Sequence, residues 1–213
     1  ALGYAKIKAD ILDLAVVDVA SGATTWMDLG PDRDIYIARV GWRPDGALTA
    51  QVLSRDQRTL RLDAFDAAGA PTTLIGEHRE PWINLHGDTK FLADGSIAWL
   101  SEDSGFCHLY LHAPDGSRIR QLTGGEWVVT GLVGVDEERR VAYFVGTRDS
   151  VLARPVYAVP LDGGDTVRLA RERGWHGAVL SPKNDHFIDA WSSLEHGPRV
   201  AVRDTAGARI ADV

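Results

Sequence analysis

Residues 108–122 read HLYLHAPDGSRIRQL, two short alternating segments closed by Asp115-Gly116. The same unit recurs along the chain. It appears as LAVVDVASGATTWMDL (14–29), RLDAFDAAGAPTTLI (61–75), PVYAVPLDGGDTVRL (155–169) and RVAVRDTAGARIADV (199–213). The turn glycines are Gly22, Gly69, Gly116, Gly163 and Gly207, at spacings of 47, 47, 47 and 44. A fixed period of this length is the mark of a repeat architecture. Ser-Gly, Ala-Gly, Asp-Gly and Gly-Gly place a residue without Cβ where a tight hairpin needs positive φ. The flanks alternate apolar and polar with period two, as at Leu109 and Leu111 or Val200 and Val202, the pattern of half-buried strands.

A second family of hairpins is interleaved with the first. WRPDGALTAQVL (42–53) and FLADGSIAWLS (91–101) turn at Asp45-Gly46 and Asp94-Gly95. LVGVDEERRVAYFV (132–145) and VLSPKNDHFIDAWS (179–192) hold the matching places with degenerate turns. Each period therefore contains four strands. Almost nothing reads as helix; the best stretch, near TRDSVLARP, is short and ends in Pro155. Four antiparallel strands in about 45 residues predict an all-β fold of β-propeller blades. The blades fall at 1–30 (partial), 31–80, 81–127, 128–175 and 176–213, all within one propeller domain. A β-sandwich also uses short strands but does not explain repetition at a fixed period. Propellers protect their edges by closing a ring. A partial ring of about four to five blades leaves unpaired edges, and exposed edges invite dimers or edge-to-edge association.

Composition narrows the function classes. The 213 residues carry 23 Lys and Arg against 30 Asp and Glu, a formal charge of −7. That sign repels phosphate backbones, and no block of like charge overrides it, so nucleic acid is not an expected partner. A single cysteine, Cys107, excludes an intrachain disulfide and a cysteine-built metal site. Its strand-like setting predicts a buried, inert thiol. The opening ALGYAKIKADILDL lacks the features of a signal peptide, and no run of about 18 apolar residues predicts a membrane span. The start without Met hints at an excised piece of a longer protein.

The order and wording of eight segments resemble one family. They are VVDVASGATTWMDLG (16–30), YIARVGWRPDG (36–46), LSRDQRTLRLDAFDAAG (53–69), EPWINLHGDTKFLADG (80–95), WLSEDSGFCHLYLHAPDG (99–116), IRQLTGGEWVVTGLVGVDE (119–137), RPVYAVPLDGG (154–164) and RERGWHGAVLSPKNDHFIDAWSS (171–193). Together they are similar to the amino-terminal propeller of bacterial dipeptidyl peptidase IV-like enzymes, in the prolyl oligopeptidase class. The resemblance implies an eight-bladed propeller joined to an α/β-hydrolase domain that removes Xaa-Pro or Xaa-Ala dipeptides with a Ser, Asp and His triad. It further implies that the propeller limits access and helps hold a peptide substrate. Bacterial members are commonly exported, which implies a periplasmic or secreted parent.

Catalytic machinery is missing from the text. There is no Gly-x-Ser-x-Gly elbow; EDSGF around Ser104 lacks the first glycine. The family's paired glutamates, which bind the substrate amine, should lie just before this chain begins. Glu137 and Glu138 occupy the wrong repeat position for that pair. His108 and His112 are four apart on a strand, about 13 Å at roughly 3.3 Å per residue, too far to share an ion. They read as polar blade surface, and the other histidines are scattered. No catalytic residue, cofactor site or metal site is expected. Trp26, Trp42, Trp82, Trp99, Trp127, Trp175 and Trp191 recur near blade boundaries, where wide rings are expected to pack between blades.

One substrate-binding residue follows from the resemblance. Where the family carries SPLER-like text, this chain reads SVLARPVYAV (150–159). In animal relatives an arginine just before the corresponding strand lines the outer substrate pocket, and by position Arg154 is its match. The arginine fork suits two-point contacts to peptide carbonyls or carboxylates. Two functions compete at this stage: a gating and positioning propeller of a serine exopeptidase, and a stand-alone propeller used as a protein-binding scaffold. A following stretch of about 250 residues with a nucleophile elbow would separate them.

Overall fold

The computed structural model describes residues 13–213, which are strands, turns and bends without a helix. The chain divides into two compact units between Leu85 and His86. In the first, β1 (Ala15–Val17) and β2 (Thr24–Trp26) form a hairpin. A four-stranded antiparallel sheet follows, built from β3 (Ile35–Trp42), β4 (Leu48–Ser54), β5 (Thr59–Phe65) and β6 (Pro71–His78) in chain order. Met27 and Leu29 after the hairpin, with Leu14 and Val16, pack on the sheet face formed by Ile35, Leu48, Ala50, Val52 and Phe65.

The second unit holds three more such sheets. They are β7 (Lys90–Phe91), β8 (Ile97–Ser101), β9 (His108–His112) and β10 (Arg118–Gln121); β11 (Val129–Asp136), β12 (Val141–Gly146), β13 (Val156–Pro160) and β14 (Val167–Arg168); and β15 (Trp175–Leu180), β16 (His186–Ser192), β17 (Arg199–Asp204) and β18 (Arg209–Asp212). Each is an antiparallel meander in chain order.

The middle sheet shows why period-two patterning makes this fold. In β12 and β13, Ala142, Phe144, Tyr157 and Val159 join Leu100, Leu109 and Leu111 of the β7–β10 sheet in one core. Their sequence neighbours Val141, Tyr143, Val145, Val156 and Ala158 join Phe187, Ala178 and Leu180 of the β15–β18 sheet in another. Successive side chains point to opposite faces of a strand, so one strand seals two interfaces. Phe144 and Tyr157 are both fully buried and stack at 5.4 Å.

The period glycines carry φ of 74, 86, 87, 88 and 89°, as their turns require. Gly69 and Gly207 do more. A Cβ at Gly69 would lie 2.2 Å from the Trp26 carbonyl oxygen, and one at Gly207 2.3 Å from that of Leu169. Each turn thus touches the backbone that ends the preceding sheet or hairpin. The two degenerate turns put positive φ on Arg140 (54°) and Asn184 (53°) instead, the left-handed region that Asn tolerates better than most residues.

Two sequence expectations need correction. His108 and His112 are buried, not surface residues. The His108 ring lies 3.1 Å from Thr123 Oγ1 and 3.0 Å from the Gly125 carbonyl, and His112 lies 2.8 Å from that of Gly116. A hydroxyl and a carbonyl satisfy the His108 ring, the Gly116 carbonyl meets His112 Nδ1, and burial pushes the His108 imidazole below its usual pKa. The tryptophans divide. Trp99 and Trp191 are buried and Trp127 stacks on Phe144, but Trp26, Trp42, Trp82 and Trp175 are exposed. Cys107 is buried, 3.5 Å from His86 Nε2.

Candidate functional site

Arg154 lies at the end of the β12–β13 loop, where its backbone pairs in parallel with the start of β15. Its N–H donates to the Gly174 carbonyl at 3.0 Å, and its carbonyl accepts from the His176 N–H at 3.2 Å. The half-buried side chain crosses the exposed Trp175 ring, with Cζ 3.8 Å from the centroid. A guanidinium over an indole face is held by the ring quadrupole without being neutralised. Among the described residues Arg154 has no carboxylate partner.

The β14–β15 connection beside it is held from both sides. Arg168 donates from Nε to the Ala170 carbonyl and from Nη2 to those of Arg171 and Glu172, at 2.7, 3.0 and 3.0 Å. It also pairs with Asp149 in the β12–β13 loop at 3.2 Å. From the β15–β18 sheet, Arg203 donates to Asp189 Oδ2 at 2.8 Å and Glu172 Oε2 at 2.6 Å. Arg209 donates to Glu172 Oε1 at 2.9 Å. His176 places Nδ1 2.7 Å from Asp189 Oδ1 and Nε2 3.1 Å from the Glu172 carbonyl. Trp191 stacks on His176 at 5.8 Å and lies under the guanidinium groups of Arg203 and Arg209. The side chains of His176 and Asp189 are wholly buried.

Burial pushes the Glu172 carboxyl up, but Arg203 and Arg209 overrule it and hold the pKa at about 2. That of Tyr157 is pushed up to about 12, first by burial and then by the charge of Asp149. The Glu172 shift gives a testable pH dependence. The folded pKa lies below the ordinary 4.5, so the stabilisation is complete above about pH 4.5 and is lost as pH falls toward 2. It is expected to reach about 2 kcal/mol once discounted for the part of the side chain that water touches. Melting of the wild type and Glu172→Gln at pH 7 and pH 3 checks this; equal losses of Tm on acidification would contradict it.

The structure therefore places the predicted residue, Arg154, in a built environment. Sequence reasoning missed Trp175 as its platform and the Asp189–Arg203–Glu172 network beneath. Ser104 sits in the β8–β9 turn, where its Oγ accepts from Tyr110 Oη at 3.1 Å and Gln121 Nε2 at 3.4 Å, with no histidine among these contacts. Among the described residues no three His, Cys, Asp or Glu side chains gather as a metal site would require. No helix among them is long and apolar enough to cross a membrane.

Repeated four-stranded antiparallel sheets, which in the second unit share apolar faces with their neighbours, make an all-β, propeller-like arrangement. The model of the family described as dipeptidyl peptidase IV (DPP IV) N-terminal region matches residues 4–198, and the chain belongs to that family. It is 27% identical to dipeptidyl peptidase 4 of Arthroderma otae, over 94% of this chain and 27% of that protein. It is 25% identical to the Trichophyton equinum protein of the same name, with the same coverage. The crystal structure of Porphyromonas gingivalis dipeptidyl peptidase 4 superposes with a TM-score of 0.88 at 26% identity, over 94% of this chain and 29% of that one. A putative dipeptidyl aminopeptidase IV from Bacteroides ovatus gives 0.82 at 21% identity, over 94% of this chain and 32% of that one. The chain thus spans about a quarter to a third of the length of these relatives.

Proposed function

We propose that this chain is the non-catalytic propeller portion of a serine exopeptidase resembling dipeptidyl peptidase IV. It gates and positions peptides whose amino-terminal Xaa-Pro or Xaa-Ala dipeptide is removed by a separate hydrolase domain of the same protein. The observation that carries the reading is the match of nearly the whole chain to proteins named dipeptidyl peptidase 4, by a stretch whose described residues hold strands and no helix. Arg154 is the residue proposed to meet the substrate. Its guanidinium is held in place by Trp175 yet keeps its charge free for a peptide carbonyl or carboxylate. In the full-length protein, Arg154→Ala is expected to lower kcat/KM for peptides of four or more residues about five- to tenfold, with a smaller effect on a Gly-Pro chromogenic substrate. Unchanged values on both would remove Arg154 from the site.

The sheets are read as blades of one propeller, at 31–80, 81–127, 128–175 and 176–213 after a partial blade at 1–30, forming part of a larger ring. One face of the β15–β18 sheet supports an associating end: Val179 and Ile188 are exposed, with Val200 and Val202 half-buried beside them. The isolated chain is therefore expected to dimerise or to associate through its edges. A monodisperse monomer in analytical ultracentrifugation would argue against it.

A further inference from the structure

The β14–β15 connection holds more positive charge than it needs. Its carboxylates are spent: Asp149 is paired with Arg168, and Glu172 with Arg203 and Arg209. Arg171 and Arg173 flank Glu172, both exposed and both, among the described residues, without an ion pair. Arg173 adjoins Gly174, whose carbonyl binds the backbone of the third uncompensated cation, Arg154. Arg171 and Arg173 thus leave two exposed charges without an ion pair on the segment whose next residues, Gly174 and Trp175, hold Arg154, on a chain of net charge −7.

This is not the charge of a loose loop. Arg168 and His176 hold the carbonyls of residues 170–172, and the carboxylate of Glu172 is turned toward Arg203 and Arg209. The connection is fixed from both adjoining sheets, which reduces the ordering cost of engaging a ligand. From these observations we infer that Arg171 and Arg173, next to Arg154 on its Trp175 platform, form a docking surface for acidic peptide segments. The Cα atoms of residues i and i+2 are at most about 7 Å apart, close to the repeat of same-side residues in an extended peptide. Such a pair suits carboxylates on alternate residues. The net negative charge of the whole chain works against a long polyphosphate. For the enzyme proposed above, the consequence is a preference for substrates with Asp or Glu downstream of the released dipeptide. This last step rests on the peptidase reading.

The test uses the full-length protein and three substrates: a Gly-Pro chromogenic amide, Gly-Pro-Gly-Asp-Gly-Asp and Gly-Pro-Gly-Lys-Gly-Lys. At low salt kcat/KM is expected to favour the acidic hexapeptide about tenfold, with the ratio shrinking several-fold in about 0.5 M NaCl. Arg171→Glu with Arg173→Glu is expected to bring the ratio to one or below, and Arg171→Lys with Arg173→Lys to retain most of it. A ratio near one in the wild type, or an equal ratio in the Glu double variant, overturns the proposal. Failure to release Gly-Pro from the chromogenic amide overturns the peptidase reading alone. The surface is then judged by the fluorescence anisotropy of a labelled Gly-Asp-Gly-Asp peptide. Binding weakened about tenfold or more by the Glu double variant supports it; equal binding overturns it. Tighter binding of a single-stranded oligonucleotide than of the acidic peptide also overturns it.

Discussion

Asp189→Ala is expected to cost about 3–5 kcal/mol of unfolding free energy, the range for removing one partner of a buried ion pair. The side chain is wholly buried, and its two oxygens take Arg203 at 2.8 Å and the His176 ring at 2.7 Å. Without it, a guanidinium that is only 4% exposed keeps the carboxylate of Glu172 and the Gly207 carbonyl but loses its innermost partner. Arg203 must then share the one carboxylate of Glu172 with Arg209, and this shortfall of buried negative charge, rather than the lost contact, sets the size of the effect. Asp162→Ala removes the partner of Arg140 in an exposed pair and is expected to cost at most about 1 kcal/mol. Urea unfolding of both variants decides the matter, and equal midpoints would refute the assignment of Asp189 as the anchor of this sheet.

Gly207→Ala carries the second large penalty. At φ of 89° the backbone already disfavours an L side chain, by about 1–2 kcal/mol. The added Cβ would also meet the Leu169 backbone, with oxygen at 2.3 Å and carbon at 2.9 Å. Backbone cannot swing aside as a side chain can, so the β17–β18 turn must lift off the end of the β11–β14 sheet. A total of about 3 kcal/mol or more is expected. Gly105→Ala is the control, with φ of 98° and open space around its Cβ. A thermal-shift difference of several degrees between the two isolates the close approach. Coincident melting curves would leave strain in the turn as the whole account.

These two residues mark what could and could not be read from the sequence. Gly207 is visible as the last term of a glycine series, and hairpin chemistry explains its φ. Its second duty, contact with the preceding sheet, is a tertiary fact with no local sign. Asp189 left a faint trace. In HFIDAWS it falls in phase with Phe187 and Trp191, and Arg203 falls in phase with Ala201. A charge on the inward beat of a strand must find a partner, yet nothing local says that Asp189 meets Arg203 and His176. His108 was misread because its ring is satisfied by a threonine and a carbonyl from a later loop. Arg154 is singled out only by the family resemblance. Trp175, twenty-one positions on, becomes its platform through a parallel bridge that no short-range pattern announces.

The division of labour along β12 sets a rule for how this polypeptide can change. Letters 142 and 144 answer to one neighbouring sheet, and 141, 143 and 145 to the other. Either side can drift by substitution without consulting the other, because adjacent letters never share a jury. Deleting or inserting a single residue within the strand exchanges both allegiances at once. Lineages of such chains should therefore vary freely in spelling while keeping the length of their middle strands, and should place their gains and losses in the turns.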